Sequence, residues 1–318
     1  MGSKSHHNGI KIEFKGKDII DCSQFSREDI EIIFKKTDRI RKTVIAKGGL
    51  NTLRRKIMAP LFFEPSTRTF ASFASGMQRL GGSVIPLPNM QTTSVAKGES
   101  FEDTIKVFSS YADILVIRHP ETGIVKHAAD IASIPVINAG DGIGEHPTQA
   151  LYDLYTIKDE LGQTDGLRVV FFGELGRYRP VNSLAKLLSL FPQTEIAFVS
   201  PSQGRLQAAT RDYLKERNVR FSESATLTNI IEKADVLYVT RIKKEFMSAK
   251  IYNKMHGKYN VDNKLLMKMK KKSIVMHALP RLDEIEKEVD EDSRAVYLDS
   301  QIKNGMYLRM ALLSLILA

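Results

Sequence analysis

The chain has 318 residues, of which 42% are hydrophobic and 26% are charged; this length corresponds to about two folded domains and excludes global disorder, a collagen and a coiled coil. The single cysteine, Cys22, excludes an intrachain disulfide and any metal site built from several thiolates. The net charge of +10 favours anionic partners, of which phosphate and nucleic acid are two examples.

The first residues, 1–8, are polar and lack the apolar segment of a secretory signal. The longest apolar run, Ala311–Ala318, is far shorter than the ~20 residues of a membrane helix, so it predicts a helix packed at the end of a domain. We therefore expect a cytoplasmic protein without a membrane partner.

Short strand-like runs alternate with amphipathic helical patterns, which predicts an α/β fold with largely parallel sheets. In the first half the predicted strands are Met58–Phe63, Val84–Leu87, Ile114–Ile117 and Pro135–Asn138. Helices are predicted between them, over about residues 67–80 and 100–111. In the second half the predicted strands are Arg168–Phe172, Glu195–Val199, Val236–Thr240 and Ile274–Met276, interleaved with helices such as Asn182–Phe191.

A helix at Pro147–Leu161 is predicted to link the two halves, because its leucines keep helical spacing and Pro147 suits a first turn. The turn Gly162–Gly166 that follows is the best candidate boundary. The prediction is thus two doubly wound domains, each with a mostly parallel sheet flanked by helices. Residues 1–161, completed by a C-terminal helix at 300–318, form one domain, and residues 162–299 form the other.

The segment after the first predicted strand has the character of an anion site. Ser66, Thr67 and Thr69 supply hydroxyl groups and Arg68 supplies a guanidinium at the start of a helix, where free backbone amides also point at a ligand. An ordinary helix N-cap made by Ser66 or Thr67 is the alternative. Ligands of open α/β sheets lie beyond the carboxyl ends of the strands, which makes the crevice between the domains the predicted site.

Other polar residues follow the later strands of the first half. Arg118 ends the third strand, where an arginine is a surface residue about as often as a ligand. His146 is either a helix cap or a donor, as the neutral imidazole or its cation, to a developing oxyanion, and Gln149 lies beside it. Lys97 is on a polar loop and is either solvated or able to close over a phosphate.

Three cationic segments follow strands of the second half: Arg179, Arg241 and His277–Arg281. Their position suggests an acidic co-substrate. Neither a Walker loop nor a His-Glu-x-x-His motif is present, and the glycines of residues 138–146 lack the spacing of a dinucleotide loop. The sequence therefore predicts chemistry without a metal or a cofactor.

Five strings resemble those of the aspartate carbamoyltransferases, within the wider aspartate/ornithine carbamoyltransferase family. They are Phe63-Glu-Pro-Ser66-Thr67-Arg68-Thr69, Ala96-Lys97-Gly98-Glu99-Ser100, Arg118-His-Pro, Gly144-Glu-His146-Pro147-Thr148-Gln149-Ala150 and His277-Ala-Leu279-Pro280-Arg281-Leu-Asp-Glu-Ile285. The resemblance runs in order from about residue 10 to the C-terminus. The pair Ser-Thr-Arg-Thr and His-Pro-Thr-Gln is specific to the wider family.

The resemblance implies transfer of the carbamoyl group of carbamoyl phosphate to L-aspartate, which gives N-carbamoyl-L-aspartate and phosphate, a step of pyrimidine synthesis. It implies that Ser66, Thr67, Arg68 and Thr69 hold the phosphate. Thr69, Arg118 and His146 would polarise the carbonyl group, with Arg118 shared between this oxygen and the phosphate. Gln149 and the backbone carbonyls near Leu279 and Pro280 would hold the carbamoyl amine, and the Leu279–Pro280 bond matches one that is cis in the family.

The resemblance also assigns the acceptor side and the assembly. Arg179 and Arg241 would bind the aspartate carboxylates, and Lys243 stands where the family has a glutamine that contacts aspartate. Lys97 would reach into a neighbouring subunit's site, so the active unit is expected to be a homotrimer with shared active sites. Whether regulatory chains or a dihydroorotase also associate is left open by the sequence.

Several positions depart from the family pattern, and four of them bear on the site. Phe70 and Phe246 each replace an arginine, and Lys243 adds a cation beside a dianionic substrate. Pro180 replaces a threonine and is expected to remove a backbone donor and stiffen its loop.

Three alternatives to an aspartate enzyme stay open: a carbamoyltransferase for another amine acceptor, a non-catalytic member of the family, and a nucleic-acid-binding module. No nucleic-acid partner is expected, because the densest basic run, Lys268–Lys272, has no aromatic residues for base stacking. Ala278, where ornithine enzymes of the family have cysteine, opposes a cationic acceptor.

Overall fold

Two parallel sheets organise the part of the chain that the computed structural model describes, residues 13–87, 90, 94–242, 252 and 257–318. The first sheet has the order β2-β1-β3-β4, and the second has the order β7-β6-β5-β8-β9. The first four strands are Ile57–Phe62 (β1), Ser83–Val84 (β2), Ile114–His119 (β3) and Val136–Asp141 (β4). The other five are Arg168–Phe172 (β5), Glu195–Val199 (β6), Phe221–Ser224 (β7), Val236–Val239 (β8) and Ile274–His277 (β9). The predicted α/β class with two parallel sheets is confirmed.

Helices connect the strands and cover the sheets. In chain order they are Arg27–Lys47 (α1), Thr67–Arg79 (α2), Phe101–Tyr111 (α3), Ile124–Ile131 (α4), Pro147–Leu161 (α5), Arg179–Leu188 (α6), Ala208–Glu216 (α7), Asn263–Leu266 (α8) and Ser300–Leu317 (α9). The helix α5 has the predicted bounds. It packs against β4, α6 and α9, and so lies between the two sheets.

The longest helix, α1, was not predicted, although its ends carry clear signals. Ser26 Oγ accepts a hydrogen bond from the Asp29 amide at 3.2 Å, and Asp29 Oδ2 accepts one from the Ser26 amide at 2.8 Å. This reciprocal capping satisfies two backbone donors that a helix start leaves free. Gly48, with a left-handed φ of 79°, ends the helix.

Several predicted elements have different bounds in the structure, and two of these differences have a clear local cause. The helix predicted at Asn182–Phe191 begins three residues earlier, at Arg179, because Pro180 fits a first turn, where the missing N–H has no helical partner. The strand predicted at Val84–Leu87 ends at Val84, since the Leu87 amide donates to the Ile85 carbonyl at 2.9 Å and turns the chain.

The C-terminal helix α9 follows the second sheet in the chain but packs against α1, α2 and α5. Leu308 and Leu312 are fully buried there, and burial of such a side chain contributes about 2 kcal/mol. The predicted packing of the C-terminal apolar run is therefore confirmed. The division of the chain at residues 161 and 299 stays a prediction. Among the described helices, none combines the length and the apolar character needed to cross a membrane.

Candidate active site

A pocket of about 390 Å³ lies between the carboxyl ends of the two sheets. It collects residues from segments far apart in the chain, which include most of the predicted site. Those lining it are Ser66, Thr67, Arg68, Thr69, Arg118, His146, Gln149, Arg179, Arg241, Leu279 and Pro280. Lys97 is exposed on a short 3-10 helix, Ser94–Lys97, and does not line the pocket. Lys243 and Phe246 lie outside the described residues.

The start of α2 forms one wall of the pocket. Ser66 occupies the N-cap position, but its side chain makes no capping hydrogen bond. The alternative in which Ser66 is an ordinary N-cap is therefore wrong, and its hydroxyl and the first amides of α2 form an arrangement suited to an anion. Phe70, which replaces an arginine of the family pattern, packs its ring edge against Phe62 with the centroids 5.6 Å apart.

Arg118 and Arg179 meet at one carboxylate, that of Glu64. Glu64 Oε1 lies 2.5 Å from Arg118 Nη2 and 2.7 Å from Arg179 Nη2. Burial, and then the neighbouring charge of Arg179, lower the pKa of Arg118 to about 10, so it stays protonated at neutral pH. Because Arg118 is the next-to-last residue of β3 and Arg179 is the first residue of α6, Glu64 joins the two halves of the molecule.

Gly140 makes room for these two guanidinium groups. Its φ of 117° lies in the region that side chains rarely adopt. A Cβ atom there would lie 3.0 Å from Arg118 Nη1 and 3.2 Å from Arg179 Nη1. A side chain at this position would therefore strain the backbone and displace both arginines.

His146 occupies the N-cap position of α5 without a side-chain capping bond, so the helix-cap alternative is wrong for its imidazole. The ring is buried, and its Nδ1 has no hydrogen-bond partner among the described residues. Burial, followed by the charges of Arg118 and Arg309, holds the pKa of His146 well below its usual range. The neutral imidazole is therefore the form present at neutral pH.

A buried cluster holds the backbone at His146. The His146 amide donates to Ser183 Oγ at 2.9 Å, and Ser183 Oγ donates to Glu145 Oε2 at 2.6 Å. Lys186 forms an ion pair with Glu145 and another with Asp21, at 3.2 Å. Since Ser183 and Lys186 lie on α6, this cluster also joins the second half of the chain to the first.

The other wall of the pocket comes from the second half. Arg241 follows β8, and Arg179 is the first residue of α6. Pro180, expected to stiffen a loop, lies instead in the first turn of this helix. Leu279–Pro280 is a cis peptide bond, as the resemblance implied, and the Leu279 amide donates to His277 Nδ1 at 2.8 Å.

Several residues that line the pocket had no role in the sequence analysis: Tyr152, Arg177, Tyr178 and Arg309. The same is true of Glu64, which does not line the pocket but pairs with Arg118 and Arg179. Arg309 is buried and reaches the site from α9. Its Nη1 donates to Ser72 Oγ at 2.5 Å, and its guanidinium lies 5.0 Å from the Phe73 and Tyr152 ring centroids. The signal that could have found it is that Arg309 is the only charged residue in the largely apolar segment 305–317.

The donor set of the pocket suits an anion and not a cation. Its charged lining groups are arginines, and a metal ion prefers carboxylate, imidazole or thiolate ligands. Within the described ranges, no group of His, Cys, Asp and Glu is arranged to hold a metal ion. The arrangement can bind phosphate and carboxylate groups and polarise a carbonyl oxygen placed between Thr69, Arg118 and His146.

Comparison with known proteins gives two family matches and many relatives. Residues 17–159 match the aspartate/ornithine carbamoyltransferase carbamoyl-P binding domain, and residues 165–316 match the Asp/Orn binding domain. An aspartate carbamoyltransferase catalytic subunit of Thermococcus kodakarensis is 48% identical over 307 residues, 96% of this chain and 98% of its own. A chloroplastic aspartate carbamoyltransferase of Arabidopsis thaliana is 47% identical over 308 residues, 96% of this chain and 79% of its own.

Solved structures show the same fold. Aspartate transcarbamoylase from Trypanosoma cruzi, in complex with N-(phosphonacetyl)-L-aspartic acid, superposes with a TM-score of 0.91 at 39% identity and covers 96% of this chain and 97% of that one. The catalytic subunit of M. jannaschii aspartate transcarbamoylase gives a TM-score of 0.87 at 43% identity, over 94% of this chain and 97% of that one.

Proposed function

The chain belongs to the aspartate/ornithine carbamoyltransferase family, and we propose that it transfers the carbamoyl group of carbamoyl phosphate to the amine of L-aspartate. The products are N-carbamoyl-L-aspartate and phosphate, as in pyrimidine synthesis. One observation carries this proposal: a single pocket joins an anion-binding helix start and a neutral buried imidazole to two further arginines of the second half. The relatives named for the same activity support it.

The phosphate of the first substrate binds at the start of α2. Ser66, Thr67 and Thr69 donate through hydroxyl and amide groups, and Arg68 grips the phosphate through two hydrogen bonds. Arg118 contacts both this phosphate and the carbonyl oxygen. These contacts hold the leaving group in place before the reaction begins, which lowers the entropic part of the barrier.

The reaction forms one bond and breaks another at the carbonyl carbon. The aspartate amine attacks this carbon, and the negative charge that develops on the carbonyl oxygen is stabilised by Thr69, Arg118 and the neutral His146. The C–O bond to phosphate then breaks, the amine loses a proton and the departing phosphate gains one. His146 acts as a hydrogen-bond donor here, because its low pKa leaves no imidazolium to donate a proton.

The acceptor is held by cations of the second half. Arg179 and Arg241 bind the two carboxylates of aspartate, and Lys243, outside the described residues, adds a further positive charge. A dicarboxylate neutralises this wall of the pocket, whereas the side-chain amine of ornithine would add a like charge. The geometry thus favours aspartate over a cationic acceptor.

The active unit is a homotrimer in which Lys97 serves the site of a neighbouring subunit. Lys97 is exposed and lies away from the pocket of its own chain. A cyclic arrangement brings the same surface of each subunit to the next one, so every pocket receives one such lysine. Its charge would then close over the bound phosphate.

The decisive experiment compares acceptors. Ureido-product formation from carbamoyl phosphate is measured with aspartate, ornithine and other amino acids at saturating concentrations, and we expect turnover with aspartate alone. Turnover with another acceptor instead would refute the substrate assignment, and no turnover with any would favour a non-catalytic family member.

Arg241→Ala provides the matched variant for the acceptor side. It should raise the KM for aspartate about tenfold or more, since charge-assisted hydrogen bonds to a carboxylate are lost, and leave the KM for carbamoyl phosphate unchanged. Arg220→Ala, which removes an exposed arginine outside the pocket, is the control.

A further inference from the structure

We propose that Asp153 is a positioning residue, whose buried carboxylate fixes the Gln149 side chain with the amide oxygen turned toward the carbamoyl amine. This inference rests on the proposed function, in which Gln149 holds that amine. Asp153 does not line the pocket, so it acts through Gln149. Neither the sequence motifs nor the assignment of the site gave Asp153 a role.

Asp153 lies one helical turn after Gln149 on α5 and is fully buried. Gln149 Nε2 donates to Asp153 Oδ1 at 3.0 Å and to Oδ2 at 3.2 Å. A carboxylate only accepts hydrogen bonds, so it binds the nitrogen end of the amide and rejects the oxygen end. The oxygen of Gln149 is therefore the end left to accept a hydrogen bond from an amine in the pocket.

Two other side chains donate hydrogen bonds to the Asp153 carboxylate. Tyr238 Oη donates to Asp153 Oδ2 at 2.8 Å from β8, and Gln301 Nε2 donates to Oδ1 at 2.7 Å from α9. All four contacts present a hydrogen to the carboxylate, an arrangement that only its ionised form can satisfy in full. The charge of Asp153 thus determines the orientation of both glutamine amides.

Gln301 connects the Asp153 carboxylate to the opposite wall of the pocket. Gln301 Oε1 accepts a hydrogen bond from the His277 amide at 3.1 Å. His277 ends β9 and directly precedes the segment Ala278–Pro280 in the pocket wall. Both groups proposed to hold the carbamoyl amine, the Gln149 amide and the Leu279–Pro280 backbone, are therefore connected to one carboxylate.

The Asp153 carboxyl group changes its protonation state in a pH range that binding experiments can reach. Burial raises its pKa to about 7, against the lowering effect of the Tyr238, Gln301 and Gln149 hydrogen bonds. Four titratable or charged groups face it from the elements packed around it: Tyr152 on α5, Tyr178 before α6, Tyr238 on β8 and Arg309 on α9. Burial raises the pKa of each tyrosine, so all three stay neutral in this range.

The direction of the pH effect on binding follows from the number of hydrogen-bond donors around the Asp153 carboxylate. Above pH 7 the ionised carboxylate keeps both amides in the binding orientation. As the pH falls through this value, the protonated acid gains a donor of its own, and one amide loses its preferred orientation. Carbamoyl phosphate then binds less tightly, whereas a ligand without an amine is not affected by this change.

The test measures binding by calorimetry without an acceptor, with carbamoyl phosphate and inorganic phosphate as separate probes. The variant is Asp153→Asn, whose side chain has the same shape but can donate to Gln149 and turn its amide. At pH 8 we expect carbamoyl phosphate to bind the variant about 10- to 100-fold more weakly, as for a reversed buried hydrogen bond. Phosphate affinity should change little.

The same comparison of wild type and Asp153→Asn at pH 6 tests whether the effect depends on the ionised form of Asp153. The titration of the probe itself is common to both proteins and cancels in the ratio of their affinities. Because wild-type Asp153 is largely protonated at pH 6, that ratio should shrink several-fold. Asp159→Asn, on the same helix with its carboxylate 2.6 Å from Arg41 Nη1, is the matched control and should show wild-type affinities at both pH values.

A second variant keeps the test informative if Asp153→Asn does not fold. Tyr238→Phe removes one donor from the carboxylate, so the pH at which carbamoyl phosphate binding weakens should move upward, with wild-type affinity retained at high pH. An unmoved midpoint, or equal carbamoyl phosphate affinities of wild type and Asp153→Asn at pH 8, would overturn the proposal. Because these are binding measurements, an enzyme without turnover would contradict only the proposed function.

Discussion

The two walls of the pocket are built in different ways. The phosphate wall, residues 65–69, 118, 146 and 149, rests on backbone features: the start of α2, the start of α5 and the close approach at Gly140. The acceptor wall, residues 177–180, 241 and 278–280, presents three long arginine side chains from the segments that follow β5 and β8. Backbone donors are fixed by the fold, whereas arginine side chains have rotamer freedom and can serve different carboxylates. The phosphate wall is thus the more constrained of the two.

The largest effect is expected on the phosphate wall. Arg68→Ala should reduce kcat/KM about a thousandfold or more, because it removes a charge-assisted grip on the leaving phosphate. Initial rates at varied carbamoyl phosphate and aspartate should assign most of the loss to carbamoyl phosphate. Unchanged turnover, with Arg220→Ala as control, would refute the assignment of this wall.

A mixture of two inactive proteins tests whether the phosphate wall is shared between subunits. Lys97→Ala and His146→Ala should each be nearly inactive, but mixed trimers restore a complete site wherever an intact His146 meets an intact neighbouring Lys97. Random reassortment of equal amounts makes about one site in four complete in a cyclic trimer. Recovery of about a quarter of wild-type activity is expected, and none after verified subunit exchange would contradict shared sites.

Glu64 connects the two walls, because its carboxylate pairs with Arg118 of one wall and with Arg179 of the other. Glu64→Gln removes the charge that holds Arg118 beside Arg179, so the two guanidinium groups should repel each other. We expect both KM values to rise and kcat/KM to fall about tenfold. Glu121→Gln, which changes an exposed glutamate outside the pocket, is the control. An effect on the KM for only one substrate would show that the walls are independent.

The smallest effect on turnover is expected at Lys186, in the buried cluster that holds the backbone at His146. The Lys186 and Glu145 side chains are 19% and 11% exposed, so removal of one charge leaves the other poorly solvated. Lys186→Gln should lower the free energy of unfolding by about 3 kcal/mol, with a much smaller change in kcat. Urea unfolding measures this loss. The double variant Glu145→Gln/Lys186→Gln should regain most of it, and no recovery would exclude the ion pair as its cause.

The sequence predicted the phosphate wall better than the contacts that support it. Ser66–Thr69 could be identified because a helix start and its residues are contiguous in the chain. Asp153 and Glu64 could not, because their partners Tyr238, Gln301 and Arg179 are distant in the sequence and meet only in the folded protein.

Helix boundaries show the same limit. Pro180 was expected in a loop, although proline is also common in a first helical turn, and only the packing of α6 against α5 distinguishes the two.

The helix α9 has a consequence for how this protein is made. It is synthesised after every strand of the two sheets, yet its buried leucines cover α1 and α2, which are made before either sheet is complete. The second sheet, with its own helices, is complete on the ribosome before α9 exists, and folding of the first half waits with an apolar face uncovered. The nascent chain therefore depends on protection from aggregation longest in its first half. A stop codon before residue 300 would remove the helix that covers this half and leave all nine described strands of the two sheets intact.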